Sequence, residues 1–468
     1  MGINMGTELI IFGAGKSAAD IYEWAVLAGY CPLFFVDNAP EKWGKMICGI
    51  EVKSPEALKV YNSTVVLCDS FWSEIETQLR RMKYRGNVIR LKQLKKEAVC
   101  RENAQIDLPF ICCNREPGFV FDAYFPGMNW GGIESYTCIV AGGLEELGVR
   151  TQIICGLNKR FDRFANRCLH FDGGNELMTI KKMAKDIIDM LPCVFLTHGS
   201  IALYAAQLVK AMYPDKIRIA FVTHGDVAET YEVIRFWADR VDKIICISEK
   251  IQKEISGQAG IRKEQLLYRP NPIKIPAIEE KTDRLKEHGK VLKVGYAARL
   301  VKVEKRTHLL PEIMEECRKR KLNIEFNIAG EGECEEELLS YVSEHKLEYM
   351  VHMTGWIPPV EMTNFWKEQD IYLNISDFEG MSLTMLEAMA CGAVPVVTNV
   401  SGVSDMIEDE KNGFIIPVDN WLSSVDKIEN LEKNRELRQR AGSYNMNLIR
   451  KKCSEKDYAE WLIRTFNF

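Results

Sequence analysis

Two glutamates eight residues apart, Glu379 and Glu387, bracket the segment Asp377–Pro395 (DFEGMSLTMLEAMACGAVP). The apolar run before it reads as a strand, Glu379-Gly380 as a turn, and Leu383 onward as a helix that Gly392 stops before the next buried strand. A helix start exposes N–H groups with no intrahelical acceptor, so Gly380, Met381, Ser382 and Leu383 would form an anion pocket suited to phosphate. At a helical rise of ~1.5 Å per residue the two carboxylates are roughly 12 Å apart. That span lets one meet a sugar and the other a ribose, with a pyrophosphate between them. A second glycine turn lies near the N-terminus, where the apolar strand Leu9–Phe12 runs into Gly13-Ala14-Gly15-Lys16-Ser17-Ala18 and a second strand closes at Asp37. This is β-turn-α-β with the spacing of a dinucleotide fingerprint, and it marks Gly13, Gly15, Lys16, Ser17 and Asp37 as a candidate nucleotide site. Ile10 stands where a P-loop needs its first glycine, so Lys16-Ser17 does not complete that motif.

These residues need a scaffold, and the chain is long enough for several. Its 468 residues suggest about three domains at ~150 residues each. Hydrophobic residues at 47% and charged residues at 27% fit a folded, water-soluble protein. Short apolar strands alternate with amphipathic helices throughout, which predicts an α/β architecture with parallel sheets covered by helices. The formal charge of −5 would repel a phosphate polymer, so nucleic acid is not an expected partner. The 15 cysteines show no C-x-x-C and no zinc spacing; they read as thiols in a reducing compartment, and no metal site is expected. The N-terminal residues lack a signal-peptide pattern, and no run approaches the ~18 to 20 apolar residues that span a bilayer. A cytoplasmic location follows as the expectation. One local exception to the acidic balance is Arg80–Lys96, with eight Lys or Arg and no acid. Such a stretch suits an anionic lipid surface or a polyphosphate, or else a solvated helix face. The three prolines between Arg269 and Pro276 read as a hinge.

The region from Leu108 to the C-terminus resembles the retaining glycosyltransferases of glycosyltransferase family 4 (glycosyl transferases group 1), which have the GT-B fold. Beyond the E-x7-E segment, the resemblance rests on Tyr296-Ala297-Ala298-Arg299-Leu300 with Lys305, on Ile328-Ala329-Gly330-Glu331-Gly332, and on Thr354-Gly355-Trp356-Ile357. Ser401-Gly402-Val403-Ser404-Asp405 and Asn412-Gly413-Phe414 follow in the family's order. So do Gly131-Gly132-Ile133-Glu134, Thr197-His198-Gly199 and Thr223-His224-Gly225 in the N-terminal half. The chain departs from the pattern at Asp405, where glutamate is usual, at Arg306, where glycine is common, and at Asn271-Pro272 in place of Asn-Gly. Residues 1–95 resemble the small Rossmann-like module that opens bacterial sugar acyltransferases.

The resemblance implies two facing Rossmann-like domains preceded by that module: residues 1–95, a linker 96–107, an acceptor-side domain 108–272, a donor domain 273–446, and a C-terminal helix 447–468 crossing back. It implies a retaining transferase that moves a sugar from a UDP- or GDP-sugar to a glycan or lipid-linked acceptor in surface-polysaccharide synthesis. No cofactor or metal is required, and contact with an anionic membrane at the inner face of the cell is an expected possibility. Arg299 and Lys305 would neutralise the donor pyrophosphate, Glu379 would hold the transferred sugar, and His224 would lie near that sugar. Gly380 to Leu383, Glu387, Gly330 and Ile357 would bind the donor, and Gly131, Gly132 and His198 the phosphate or acceptor. The competing readings are an NAD(P)- or nucleotide-sugar-binding modifying enzyme and a noncatalytic sugar-nucleotide-binding protein, both acting through the N-terminal module.

Overall fold

A computed structural model describes residues 7–68, 71–101, 116–123, 131–155, 167–168, 175–258, 260–276 and 291–467. Residues 102–107 of the expected linker, the Cys112-Cys113 pair and the loop residues before Gly131 lie outside the described residues. The chain forms two compact units, residues 1–128 with 151–219, and residues 129–150 with 220–468.

The first unit opens with strands β1 (Thr7–Phe12), β2 (Tyr30–Val36), β3 (Met46–Ile47), β4 (Ile50–Lys53), β5 (Thr64–Leu67) and β6 (Val88–Arg90), in the order β3-β4-β2-β1-β5-β6. All neighbours are parallel except the β3/β4 pair. Leu9 to Phe12 are buried on both faces, as a central parallel strand requires. The helix Leu91–Cys100 runs through the module boundary expected at residue 95. Its apolar stripe explains this: Leu91, Leu94, Ala98 and Val99 are buried, and the helix packs on the helix Ala202–Met212. Residues 96–100 are therefore helix, not linker. The same unit holds β7 (Gly118–Ala123), most of β8 (Arg150–Cys155), β9 (Arg167–Cys168) and β10 (Cys193–Thr197), in the order β10-β7-β8-β9.

Strand β11 (Ile217–Thr223) begins in the first unit and ends in the second, where β12 (Lys243–Cys246) and β13 (Leu266–Tyr268) continue in parallel. The second unit's main sheet consists of β14 (Leu292–Ala297), β15 (Ile324–Ala329), β16 (Val351–Gly355), β17 (Ile371–Asn374), β18 (Val394–Thr398) and β19 (Phe414–Ile416). Its order is β16-β15-β14-β17-β18-β19 and every pair is parallel. The chain winds outward from β14 to β16, then returns to the other side of β14 as β17. The loops leaving β14 and β17 therefore diverge, and this reversal of strand order opens a crevice at their C-terminal ends.

Residues 129–150 and 220–272 belong with the C-terminal region, so the unit boundary does not fall at the expected 272/273. The contacts show why. The final helix, Glu455–Phe466, packs on the helix Gly132–Glu146, with the buried Tyr136 and Tyr458 hydroxyls 2.8 Å apart. A Cβ at Gly143 would lie 2.9 Å from the Glu455 carbonyl oxygen, so glycine permits that approach. The expected C-terminal helix 447–468 is two helices, broken at Cys453-Ser454, where Ser454 pairs with Ile273. The proline-rich segment 269–276 is tied down here too: Ile273 N–H donates to Cys453 O at 2.8 Å, and the Asn271 amide donates to Met381 O at 3.1 Å.

Candidate active site

The loop after β14 carries the two predicted cations. Lys305 is nearly buried, 14% exposed, and its Nζ lies 2.6 Å from Glu379 Oε1 and 2.9 Å from Glu304 Oε1. Arg299, half exposed, meets the other oxygen of Glu304 at 2.6 Å. Burial opposes the charge on Lys305, but the carboxylates of Glu379 and Glu304 outweigh it and hold its pKa above the ordinary lysine value. Glu304 thus clamps both cations together. The glycine turn after β15 supports this loop from behind. Gly330 has φ +133, and a Cβ there would sit 1.9 Å from Ala298 O, while Leu300 N–H donates to Glu331 O at 2.9 Å. Glycine is needed because the backbone bearing Arg299 lies directly against it.

Beyond β17, one oxygen of Glu379 is fully engaged. Its Oε1 accepts from Lys305, from Ser376 Oγ at 3.0 Å and from Asn374 Nδ2 at 3.4 Å. The other oxygen, Oε2, has no hydrogen-bond partner among the described residues. Ser382 caps the helix Leu383–Ala390, and its Oγ also lies 3.0 Å from the Tyr372 hydroxyl. Among the described residues, the N–H groups of Gly380, Met381, Ser382 and Leu383 donate to no main-chain acceptor. This capped helix start follows Glu379, which Lys305 Nζ meets at 2.6 Å.

The same place is approached from residues far away in sequence. Gly380 lies against the backbone that follows β11: a Cβ there would be 2.1 Å from His224 O. The His224 ring meets Tyr136 edge-on, with centroids 4.9 Å apart, and burial lowers its pKa to about 3. It is a neutral imidazole at neutral pH. Gly132, at the start of its helix, would place a Cβ 4.0 Å from Leu383 Cδ1. Gly131 N–H donates to Glu134 Oε2 at 2.9 Å. Burial raises the pKa of Glu134 against that bond and the nearby charge of Arg299. Glu387, half-buried on the helix Leu383–Ala390, has its pKa pushed up to about 7 by burial, against a hydrogen bond from Trp366. Ile357 follows β16, half buried.

Several of these contacts were not visible in the sequence. Glu304 is not legible as a site residue, because an acid beside two cations, Lys305 and Arg306, reads as an exposed pair. Asn374 and Ser376 end an apolar strand, and a polar pair buried at that point was the available signal. Arg306, where glycine is common, sits at φ +53 and binds Val418 O at 2.6 Å and Asp377 Oδ1 at 3.2 Å. Asp405 accepts from Glu249 N–H at 2.8 Å and from the Tyr268 hydroxyl, so it joins the start of the helix Glu249–Ser256.

Other predicted residues lie in the first unit. His198 follows β10 in a turn held by buried Asp122, which accepts from Thr197 Oγ1 at 2.8 Å and Ser200 Oγ at 2.7 Å. In the N-terminal module, Gly13 has φ +126 and a Cβ there would strike Cys68 Sγ. Asp37 accepts from Ala14 N–H at 2.8 Å, Ala39 N–H at 2.9 Å and Lys42 Nζ at 2.8 Å. Burial works against its charge, but Lys42 and these N–H groups lower its pKa. Asp37 thus fastens the glycine turn to the end of β2. Gly15 and Lys16 are exposed, and Ser17 precedes the helix Ala18–Leu27 without a side-chain cap.

Residues 277–447 match the family model described as Glycosyl transferases group 1. This stretch is a glycosyltransferase group 1 domain. The putative colanic acid biosynthesis glycosyltransferase WcaL of Escherichia coli K12 is 26% identical over 263 residues, 50% of this chain and 60% of that protein. The poly(ribitol-phosphate) alpha-N-acetylglucosaminyltransferase of Staphylococcus aureus is 29% identical over 230 residues, 48% of this chain and 44% of that protein. The chain thus spans about half the length of these curated relatives. Among solved structures, Anabaena HepE in complex with UDP aligns with TM-score 0.61 at 15% identity, over 75% of this chain and 100% of that one. S. aureus TarM aligns with TM-score 0.53 at 15% identity, over 99% and 100%. The fold is GT-B.

Proposed function

We propose that the protein is a retaining glycosyltransferase of glycosyltransferase family 4 that transfers a sugar from a nucleotide diphosphate donor to a glycan or lipid-linked acceptor. A UDP-sugar is the favoured donor, since HepE and other GT-B neighbours are described with UDP. Polysaccharide synthesis is the proposed setting, in keeping with the relative named for colanic acid biosynthesis. The observation that carries this reading is the Lys305–Glu379 pair beside a capped helix start with open N–H groups.

In this reading the donor pyrophosphate docks on the N–H groups of Gly380 to Leu383 and takes Arg299 and Lys305 from Glu304. The free oxygen of Glu379 accepts from a sugar hydroxyl, and Glu387 accepts from the ribose. As the bond between the anomeric carbon and the phosphate oxygen breaks, charge grows on the leaving phosphate, and Arg299 and Lys305 stabilise it. The acceptor hydroxyl bonds to the anomeric carbon on the face the phosphate leaves. Its proton passes to the phosphate oxygen, so configuration is kept without a protein nucleophile. Neutral His224 and the buried wall behind Gly380 position the sugar and keep its surroundings dry.

The test is nucleoside diphosphate release from a panel of UDP-, GDP- and ADP-sugars. Release from one donor, lost in Glu379→Gln while that variant still binds the nucleotide, supports the reading. Binding of NAD(P) with no nucleotide-sugar turnover on any acceptor would overturn it.

A further inference from the structure

The basic stretch of the N-terminal module plays no part in the chemistry above, and the structure gives it a shape. Strands β1, β5 and β6 are parallel, so the turns that enter β5 and β6 lie at the opposite end of this sheet from the Gly13–Ser17 turn that leaves β1. Two segments meet at that end. One is the 3-10 turn Pro55–Val60 with Tyr61 and Asn62; the other is the reversal from Met82 to Arg85 after the helix Trp72–Arg81. They border a groove of about 300 Å³.

Hydrogen bonds and ring contacts brace the groove's walls. Lys83 N–H donates to Arg80 O at 3.0 Å, Tyr84 N–H donates to Leu79 O at 3.0 Å, and the Tyr84 hydroxyl donates to Ser63 O. Tyr61 packs edge-on against Phe34, with centroids 5.0 Å apart. Gly86 lets the turn lie on Ser63, because a Cβ there would be 2.4 Å from Ser63 O.

Its rim is cationic. Lys83 and Arg85, which line the groove, and Arg81, which precedes its Met82, are exposed and have no acidic partner among the described residues, whereas Lys59 is paired with Glu56. Glu8, on β1, accepts from Ser63 Oγ at 3.0 Å. Other cations of the stretch are already engaged: Arg80 with Glu76, Arg90 on the Trp72 ring, and Lys95 with Glu176. At the edge of the groove Val60 is 82% exposed, an apolar side chain beside unpaired cations.

We propose that this end of the N-terminal module is a docking surface for anionic phospholipid. Lipid phosphates lie against Arg81, Lys83 and Arg85, and Val60 enters the headgroup boundary. The favourable pairing is between a cluster of unneutralised cations and a surface of fixed negative charge, on a chain whose net charge is −5. A nucleic-acid strand is the poorer fit, because the aromatic rings here, Tyr61 and Tyr84, are held by the protein and present no stacking platform. Among the described residues no helix is long and apolar enough to cross a membrane, so attachment by this patch would be peripheral. The proposal does not depend on the transfer reaction, and its test does not use it.

The full chain is sedimented with vesicles of phosphatidylcholine containing phosphatidylglycerol, and with phosphatidylcholine alone, at low and high salt. Binding to the anionic vesicles only, weakened by salt, is expected. Arg81→Glu/Lys83→Glu/Arg85→Glu should lower partitioning by about a hundred-fold or more, at roughly five-fold per cation removed. Val60→Asn should weaken it without altering its salt dependence. A control with equal net charge, Lys263→Glu/Lys346→Glu/Lys451→Glu, should bind like the wild type. Circular dichroism melts establish that all variants fold. Absent binding to anionic vesicles, or equal loss in the control and the patch variant, would overturn the proposal. Intact nucleotide binding by the patch variant would keep that failure separate from any failure of the transferase reading.

Discussion

Glu387 offers a quantitative test of how the donor site is built. Burial pushes its carboxyl up to about 7 from an ordinary value of 4.5, which corresponds to at most about 3 kcal/mol of penalty for carrying the charge while buried. Below pH 4.5 the group is protonated in the folded and unfolded chain alike, and the penalty is absent. As pH rises through about 7 the folded protein must ionise it, and the full penalty is then present. Glu387→Gln removes the ionisation while keeping the shape. The variant should therefore match the wild type in urea near pH 4.5 and become progressively more stable than it up to pH 8, by up to about 3 kcal/mol. Nucleotide affinity should move the other way. The wild type should bind UDP more tightly as pH rises through about 7, since a carboxylate accepts ribose hydroxyls better than a carboxylic acid, and the variant should show weaker, pH-independent binding. Urea midpoints and calorimetric titrations at pH 5, 6, 7 and 8 read both effects. A stability difference of the same size at pH 5 and pH 8 would refute the burial argument.

Other substitutions probe the loops around it. Gly380→Ala would place a methyl carbon 2.1 Å from His224 O, so the donor loop must shift. It should cost about 1 to 3 kcal/mol and reduce turnover far more than the same change at Gly15, which meets nothing within 4 Å. Arg306→Gly relieves a left-handed backbone at φ +53 but removes the bonds to Val418 and Asp377. Its stability should stay within about 1 kcal/mol of wild type, as strain and hydrogen bonds offset each other. Its KM for the donor should nonetheless rise, because the loop leading to Glu379 has lost its anchor. Tyr136→Phe removes the hydroxyl pair with Tyr458 and should lower the unfolding midpoint by an amount equivalent to about 1 kcal/mol, measured by thermal melts.

The fold class and the strand, turn and capped helix around Glu379 were legible because their physics is local. An apolar strand, a turn with glycine, a serine cap and a helix stopped by glycine are each encoded within a few residues of Glu379. The clamp of Glu304 across Arg299 and Lys305 was not legible. It depends on a left-handed Glu304, at φ +73, that no short-range pattern specifies. Asp37 is a second case: its oxygens accept from the Ala14 and Ala39 N–H groups and from Lys42. Sequence spacing placed Asp37 at the end of the strand and could not say which neighbour it would bind. The extent of the second unit was hidden for a similar reason, since the Tyr136–Tyr458 contact joins residues 322 positions apart.

The central claim is that Lys305, held by Glu379 and Glu304, is the cation that meets the donor's leaving phosphate. Its most direct test is pre-steady-state nucleoside diphosphate release by Lys305→Met and by Glu379→Gln, with nucleotide-sugar binding measured on the same samples. The account predicts that Lys305→Met lowers the chemical step by two orders of magnitude or more, roughly the effect of losing a buried charge that stabilises a transition state. Glu379→Gln should slow transfer while retaining nucleotide affinity. Wild-type release rates in Lys305→Met would contradict the account.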